Sequence, residues 1–423
     1  MEYKSTIEVV LKLTERCNID CTYCYVFNKG DESYKDHPIY FTKEKAEDLS
    51  AFLSDAVKKE GIERIYFDFH GGEPLLIKKA RFIEVCNILR DNLSKVCKEI
   101  HFNIQTNGML VNREWIEILR EFRFNVGVSL DGAKEINDID RIDHNGNGTH
   151  SRVINGLNLL KKARDEGLIG GIGILAVINP RNSIIDNYRH FIHELGITTA
   201  DFLLPIDYHD SFDRSFEENY GSYLCEAFDE WIKDNDPILN VRIFSGTMNA
   251  LKNGRVETQN AFEIRKNKHY IFTVASNGDI GPDDSLRTSH LNLFDKYNIA
   301  TTTFTEYINS EEIKAIEKAE NTIPDDCIEC CWKNVCRGGA TNGRLINRFS
   351  VEKGFNNKSI VCDGLKDLYS HVAAYLLKTG LGFEKLTENL IYDNDNFLEY
   401  KQSCYFSEIT KSSKFQKLHI TTL

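Results

Sequence analysis

Six strand-like segments alternate with amphipathic helical stretches over residues 8–204, and this alternation constrains the chain more than any other feature. The strand candidates are Glu8–Leu13, Arg64–Phe69, Glu99–Gln105, Asn125–Leu130, Gly171–Val177 and Ala200–Leu204. Between them, Lys43–Lys59, Arg81–Ser94, Arg113–Phe122 and Ser151–Glu166 carry apolar residues at helical spacing. Serial β–α units predict a parallel sheet. About 200 residues is short for eight units, so the expectation is an α/β fold with a partial (β/α)6 TIM barrel. An open doubly wound sheet is the alternative. Either fold puts ligand chemistry at the carboxyl ends of the strands. There the sequence reads TERCN, HGGEP, TNG and SLDG after the first four strands.

Beyond the barrel, residues 211–264 read as a helical connection. Residues 265–365 change to short strands, turns and cysteines, a smaller second module. Residues 366–423 start with a helix and end in a polar tail. The domains predicted are therefore 1–210, 211–264, 265–365 and 366–423.

Composition narrows the function classes. Hydrophobic residues are 41% and the net charge is −12, which supports a buried core and argues against a nucleic-acid partner, since phosphate binding needs a basic surface. The amino terminus lacks a secretory signal. The longest apolar run, GIGILAVI at 171–178, is far short of the roughly 20 residues of a membrane span. The expectation is a cytoplasmic protein with no membrane partner.

The 12 cysteines divide by position. Cys17, Cys21 and Cys24 crowd one loop, and Cys327, Cys330, Cys331 and Cys336 another, with Cys362 later. Cys86, Cys97, Cys225 and Cys404 stand alone and read as small buried hydrophobes. Local clusters in a reducing compartment point to metal rather than disulfides. Three thiolates on one loop suit a four-iron cluster with one open iron. A structural zinc loop is the alternative.

The segment CNIDCTYCY resembles the signature of the radical S-adenosylmethionine (SAM) superfamily, including the aromatic Tyr23 before the third cysteine. Gly71-Gly72-Glu73-Pro74, after the second strand, is similar to that superfamily's glycine-rich element. The resemblance implies a catalytic [4Fe-4S] cluster on Cys17, Cys21 and Cys24, whose open iron is chelated by SAM. It implies that Gly71, Gly72 and Glu73 receive the methionyl amino group, with Glu73 either using its carboxylate or capping the next helix. Tyr23 would lie along the adenine, and Ser129 and Arg141 would hold the ribose and carboxylate. His70 and His144 read as structural.

Cys327-x2-Cys330-x5-Cys336 with Cys362 resembles the SPASM extension of peptide-modifying radical SAM enzymes, which implies an auxiliary [4Fe-4S] cluster. A zinc ribbon on the same cysteines is the alternative. The full extension holds a second auxiliary cluster, whose ligands are missing here: Ala340 takes one position, Asp283 another, and HYIFTVASNGDIGPDDSL has no cysteine. Two clusters are therefore expected in total. Asp284 stands where anaerobic sulfatase-maturating enzymes, which share this layout, carry a catalytic acid/base. Asp207, His209 and Asp210 read as a solvated loop, with the substrate opening as the alternative.

These resemblances imply reductive cleavage of SAM to a 5′-deoxyadenosyl radical and oxidative modification of a peptide side chain. The substrate expected is a ribosomally made precursor peptide, joined between an aromatic ring and a side-chain carbon. Formylglycine formation in a sulfatase is the alternative, and a non-catalytic metal-binding regulator is the alternative of another class. A flavodoxin or ferredoxin would donate electrons. With the first cysteine at residue 17, no leader-recognising domain is expected before the barrel, so leader recognition would lie elsewhere or come from a separate protein.

Overall fold

The computed structural model describes residues 5–180, 182–253, 269–339 and 342–390. Ala340, Cys404 and the polar tail from 391 lie outside them. The chain divides into two compact units, residues 1–176 with 264–317, and residues 177–263 with 318–423.

The first unit is built on parallel strands β1 (Thr6–Thr14), β2 (Arg64–Gly71), β3 (Glu99–Thr106), β4 (Asn125–Ser129) and β5 (Ile172–Val177). They pair in sequence order, as short connections between consecutive strands favour. The second unit contains β6 (Thr199–Leu203) and β7 (Asn240–Val241), a short parallel pair. The chain then returns to the first unit as β8 (His269–Val274), β9 (Asp279–Gly281) and β10 (Tyr297–Asn298). β8 lies parallel to β1 along Thr6–Leu11, and β9 and β10 follow antiparallel. Residues 264–317 thus group with the barrel strands. The texture of short strands and turns does not itself reveal that His269–Val274 fits beside β1.

Strand alternation separates two faces. Ile65, Phe67 and Phe69 of β2 are fully buried against the surrounding helices. Phe69, Phe82, Phe102 and Phe124 form an aromatic core there, with Phe69 lying 5.3 Å from both Phe82 and Phe124. The opposite face is polar: Glu8 and Lys12 on β1, Asp68 and His70 on β2, Asn103 and Gln105 on β3, Ser129 on β4. The first helix, Lys43–Glu60, starts on a Thr42 cap and stops at Gly61 in the left-handed region (φ +69°).

In the second unit, the helices Glu217–Asp234 and Cys362–Lys378 cross closely. Gly364 permits this approach: a Cβ there would lie 2.9 Å from the Gly221 nitrogen. Among the described residues no helix is long and apolar enough to cross a membrane.

Candidate cofactor and auxiliary-cluster sites

The register of β1 against β2 shifts between Lys12 and Thr14. The chain leaves the sheet there and enters the loop that carries Cys17, Cys21 and Cys24. Two neighbours hold that loop. On one side, Gly72 N donates to Thr14 O (2.8 Å) and Glu73 N to Arg16 O (2.9 Å). Cβ atoms at Gly71 and Gly72 would each lie 2.1 Å from a carbonyl oxygen, those of Thr14 and Arg16. Both glycines are therefore required for the chain's own backbone to approach itself. On the other side, Asp20 N donates to Ile142 O (2.8 Å) and Thr22 N to Asp140 O (3.0 Å). His144 Nε2 reaches Cys17 O at 2.9 Å. The Arg141 segment is thereby fastened to the cysteine loop.

Glu73 has 0% exposure. Its carboxylate accepts from Leu75 N, Thr106 Oγ1 and Asn107 N at 3.0, 2.7 and 2.7 Å. It caps the turn Pro74–Leu76 and ties the end of β2 to the end of β3. Burial lifts its carboxyl to about 7, against the pull of these hydrogen bonds.

Arg141 is 6% exposed. Its Nη1 donates to the Tyr23 hydroxyl at 2.8 Å, and that hydroxyl donates to Asp131. Arg141 Nε is buried without a partner. Ser129 Oγ accepts from Gln105 Nε2 at 2.6 Å. Burial, reinforced by Glu73, pushes the Cys17 thiol up to about 12, and burial pushes that of Cys21 up to about 11. Thiols this resistant to ionisation become thiolates when a metal binds. Three such sulfurs and an unpartnered guanidinium nitrogen are a donor set that fits an iron–sulfur cluster and an anionic ligand.

Asp284 belongs to the same unit and is buried. Lys12 Nζ and the Tyr25 hydroxyl donate to its Oδ2, and Arg287 Nε to its Oδ1 at 3.1 Å. Lys12 also contacts His70 Nδ1 at 3.2 Å, and Arg287 Nη1 pairs with the buried Asp31 at 2.9 Å. Burial would raise the Asp284 carboxyl, but Lys12, Arg287 and His70 outweigh it and hold the group well below the usual carboxylate range. Tyr25 follows Cys24 directly, so this ion cluster borders the cysteine loop. Neighbouring Asp283 accepts from Ser285 N at 2.9 Å, capping the turn Asp284–Thr288.

Sequence reasoning missed Lys12, Tyr25, Asp31, Asp131 and Arg287. Lys12 had a signal, as a lone charge inside the apolar run VVLKL. Asp284 and Arg287 also share the i, i+3 spacing of a helical ion pair.

In the second unit, Cys327, Cys330, Cys336 and Cys362 line one cavity with Trp332, Gly338, Gly339, Ser359 and Lys366. Gly339 has φ +101°, and a Cβ there would lie 2.7 Å from Ser359 Cβ. Burial lifts the Cys336 and Cys362 thiols to about 12. Four thiols around a hollow fit a cluster held on four sides. Cys331 is buried and does not line the cavity. Among the described residues no three His, Cys, Asp or Glu side chains converge as they would on a single metal ion. Asp207 O, His209 and Asp210 tie their loop to residues 347–358: Asn347 Nδ2 donates to Asp207 O, His209 Nε2 reaches Lys358 O, and Val351 N donates to Asp210.

Residues 11–180 match the Radical SAM superfamily. The chain carries a radical SAM domain. Its cofactors are SAM and iron–sulfur clusters. The chain is 28% identical over 384 residues to a serine-type anaerobic sulfatase-maturating enzyme of Bacteroides thetaiotaomicron, covering 85% of this chain and 87% of that one. It is 27% identical to a cysteine-type anaerobic sulfatase-maturating enzyme of Clostridium perfringens, covering 85% and 94%. The solved structure of native anSMEcpe with bound AdoMet and Cp18Cys peptide superposes with a TM-score of 0.72 at 22% identity, covering 88% of this chain and 98% of that one. That likeness shows that the fold shared with anSMEcpe extends well beyond the radical SAM domain.

Proposed function

We propose that this chain oxidises a side chain of a peptide or protein substrate, with Cys17, Cys21 and Cys24 holding the catalytic four-iron cluster and Cys327, Cys330, Cys336 and Cys362 an auxiliary one. With SAM bound, the catalytic cluster supplies the one-electron chemistry that removes hydrogen from an unactivated carbon. The observation that carries the reading is the buried Asp284 cluster beside the cysteine loop. The substrate gives up one hydrogen atom, then one electron and one proton. Lys12, Tyr25 and Arg287 hold Asp284 in place as a carboxylate, the group that would take that proton. Arg141 and Ser129 orient SAM. Cys327, Cys330, Cys336 and Cys362 would hold an auxiliary cluster able to take up the electron.

The sulfatase-maturating relatives favour oxidation of a serine or cysteine to an aldehyde. Crosslinking of an aromatic ring to a side-chain carbon in a precursor peptide is a second reading, supported by Asp283, which serves as a turn cap where the full two-cluster extension has a cysteine. In either reading, a flavodoxin or ferredoxin supplies electrons.

Anaerobic reconstitution should give about eight irons per chain and yield 5′-deoxyadenosine from SAM under reduction. A serine- or cysteine-containing sulfatase peptide should gain an aldehyde that a hydrazide captures. A loss of two hydrogens without hydrazide capture, in a peptide bearing an aromatic residue, selects the crosslink. No 5′-deoxyadenosine would end the enzyme reading.

A further inference from the structure

Four cysteines can hold an electron-transfer cluster, but its direction of transfer depends on its potential. That potential follows local charge, burial and hydrogen bonds to sulfur. Two buried side chains in the second unit bear on it, and neither was visible as a site in the sequence.

Arg348 is 2% exposed. Its Nε donates to Phe355 O at 3.1 Å and its Nη2 to Thr322 O at 3.0 Å, while its Nη1 is buried with no partner. Its Cδ would contact a Cβ at Gly338, a residue that lines the cysteine cavity, at 3.7 Å. Its charge acts on Cys327 and Cys336. Tyr369 is fully buried, and its hydroxyl bonds to the Cys336 sulfur and accepts from Asn342 Nδ2 at 3.3 Å.

We infer that Arg348 and Tyr369 raise the reduction potential of the cluster held by Cys327, Cys330, Cys336 and Cys362, making it an acceptor of the substrate's electron. This rests on the proposed cluster assignment. Reduction adds one negative charge to a group already rich in thiolates. A fixed cation in a low-dielectric interior favours the reduced state. An O–H donated to a ligand sulfur withdraws charge in the same direction. Lys366 also faces these cysteines, but it is half-buried and water screens it. Both side chains act through the cysteines and are positioning residues.

The test is a potentiometric titration followed by electron paramagnetic resonance. The full chain with Cys17, Cys21 and Cys24 all changed to alanine leaves the auxiliary signal alone. In that background, Tyr369→Phe changes no packing volume to speak of and should move the midpoint to a more negative potential. Arg348→Met should move it further, and Arg348→Lys less than Arg348→Met. Iron and sulfide are counted for each variant. About four irons per chain with an unmoved midpoint in both Tyr369→Phe and Arg348→Met overturns the inference while sparing the cluster. Absence of iron in the parent triple-alanine chain overturns the cluster assignment and the inference with it.

Discussion

Arg141 meets Tyr23 across 118 positions of sequence, its Nη1 2.8 Å from the phenol oxygen. The phenol stands between the guanidinium and Asp131, which are themselves 4.0 Å apart. Tyr23→Phe keeps the ring but deletes the bridge and leaves Arg141 with a second unpartnered nitrogen. The expected cost is about 1–2 kcal/mol of stability, with a several-fold loss in SAM affinity. Anaerobic equilibrium dialysis and denaturant unfolding check both. An unchanged unfolding midpoint would show that the bridge contributes nothing.

Gly72 offers a sharper steric test. A Cβ there would lie 2.1 Å from the Arg16 carbonyl oxygen, which backbone geometry holds in place. Gly72→Ala should cost about 3 kcal/mol and lower iron loading, because it pushes the cysteine loop off its support. Gly246, inside the helix Arg242–Asn253, has nothing within 4 Å of its would-be Cβ. Gly246→Ala should be neutral or gain about 0.5–1 kcal/mol. Iron content and thermal unfolding of the two variants should move apart.

Asp284→Asn leaves Lys12, at 1% exposure, without its counter-ion. Breaking a buried pair from one side costs on the order of 3–5 kcal/mol. Lys12→Met in the Asp284→Asn background should recover much of that stability without restoring product formation. A double-mutant cycle on unfolding, run beside a turnover assay, separates the two roles. Full activity in Asp284→Asn would remove it from the reaction.

Asp68 makes stability depend on pH. Burial and the facing Glu8 raise its carboxyl to about 7, against a hydrogen bond from Asn103 Nδ2 at 2.7 Å. The folded state therefore binds a proton that the unfolded chain releases near its ordinary value of 3.8. The contribution of Asp68 to stability falls as pH rises between those values, and is flat on either side. Asp68→Asn should flatten much of that slope and stabilise the protein at pH 8 by on the order of 2 kcal/mol. Glu73, shifted in the same direction, leaves a residual slope. Urea unfolding at pH 5 and pH 8 reads the difference.

The cysteine loop, the glycines after β2 and the barrel strands were legible because each is a local pattern: a spacing, a turn or an alternation. The ion cluster was not. Lys12 and Asp284 meet because His269–Val274 lies against β1, a pairing that no short-range rule contains. Glu73 was legible as a position but ambiguous in role, since a cap and a ligand place the same carboxylate at the same helix start. Only its three donors at the ends of β2 and β3 define its work in the fold.

The β1–β8 pairing joins residues roughly 260 positions apart. During synthesis, one edge of β1 keeps its backbone groups unpaired, in a strand that also carries the apolar Ile7, Val9 and Leu11 on one face, while the whole stretch from β5 to β8 is made, roughly 100 residues or about 5–20 s of translation. An open edge in a strand with an apolar face is a template for wrong pairing. The cysteine loop at the end of this strand can take its supports from Gly72, Glu73, Asp140 and Ile142 early, whereas the carboxylate that neutralises buried Lys12 arrives only with residue 284, so the charge at the foot of the loop is the last part of it to be balanced.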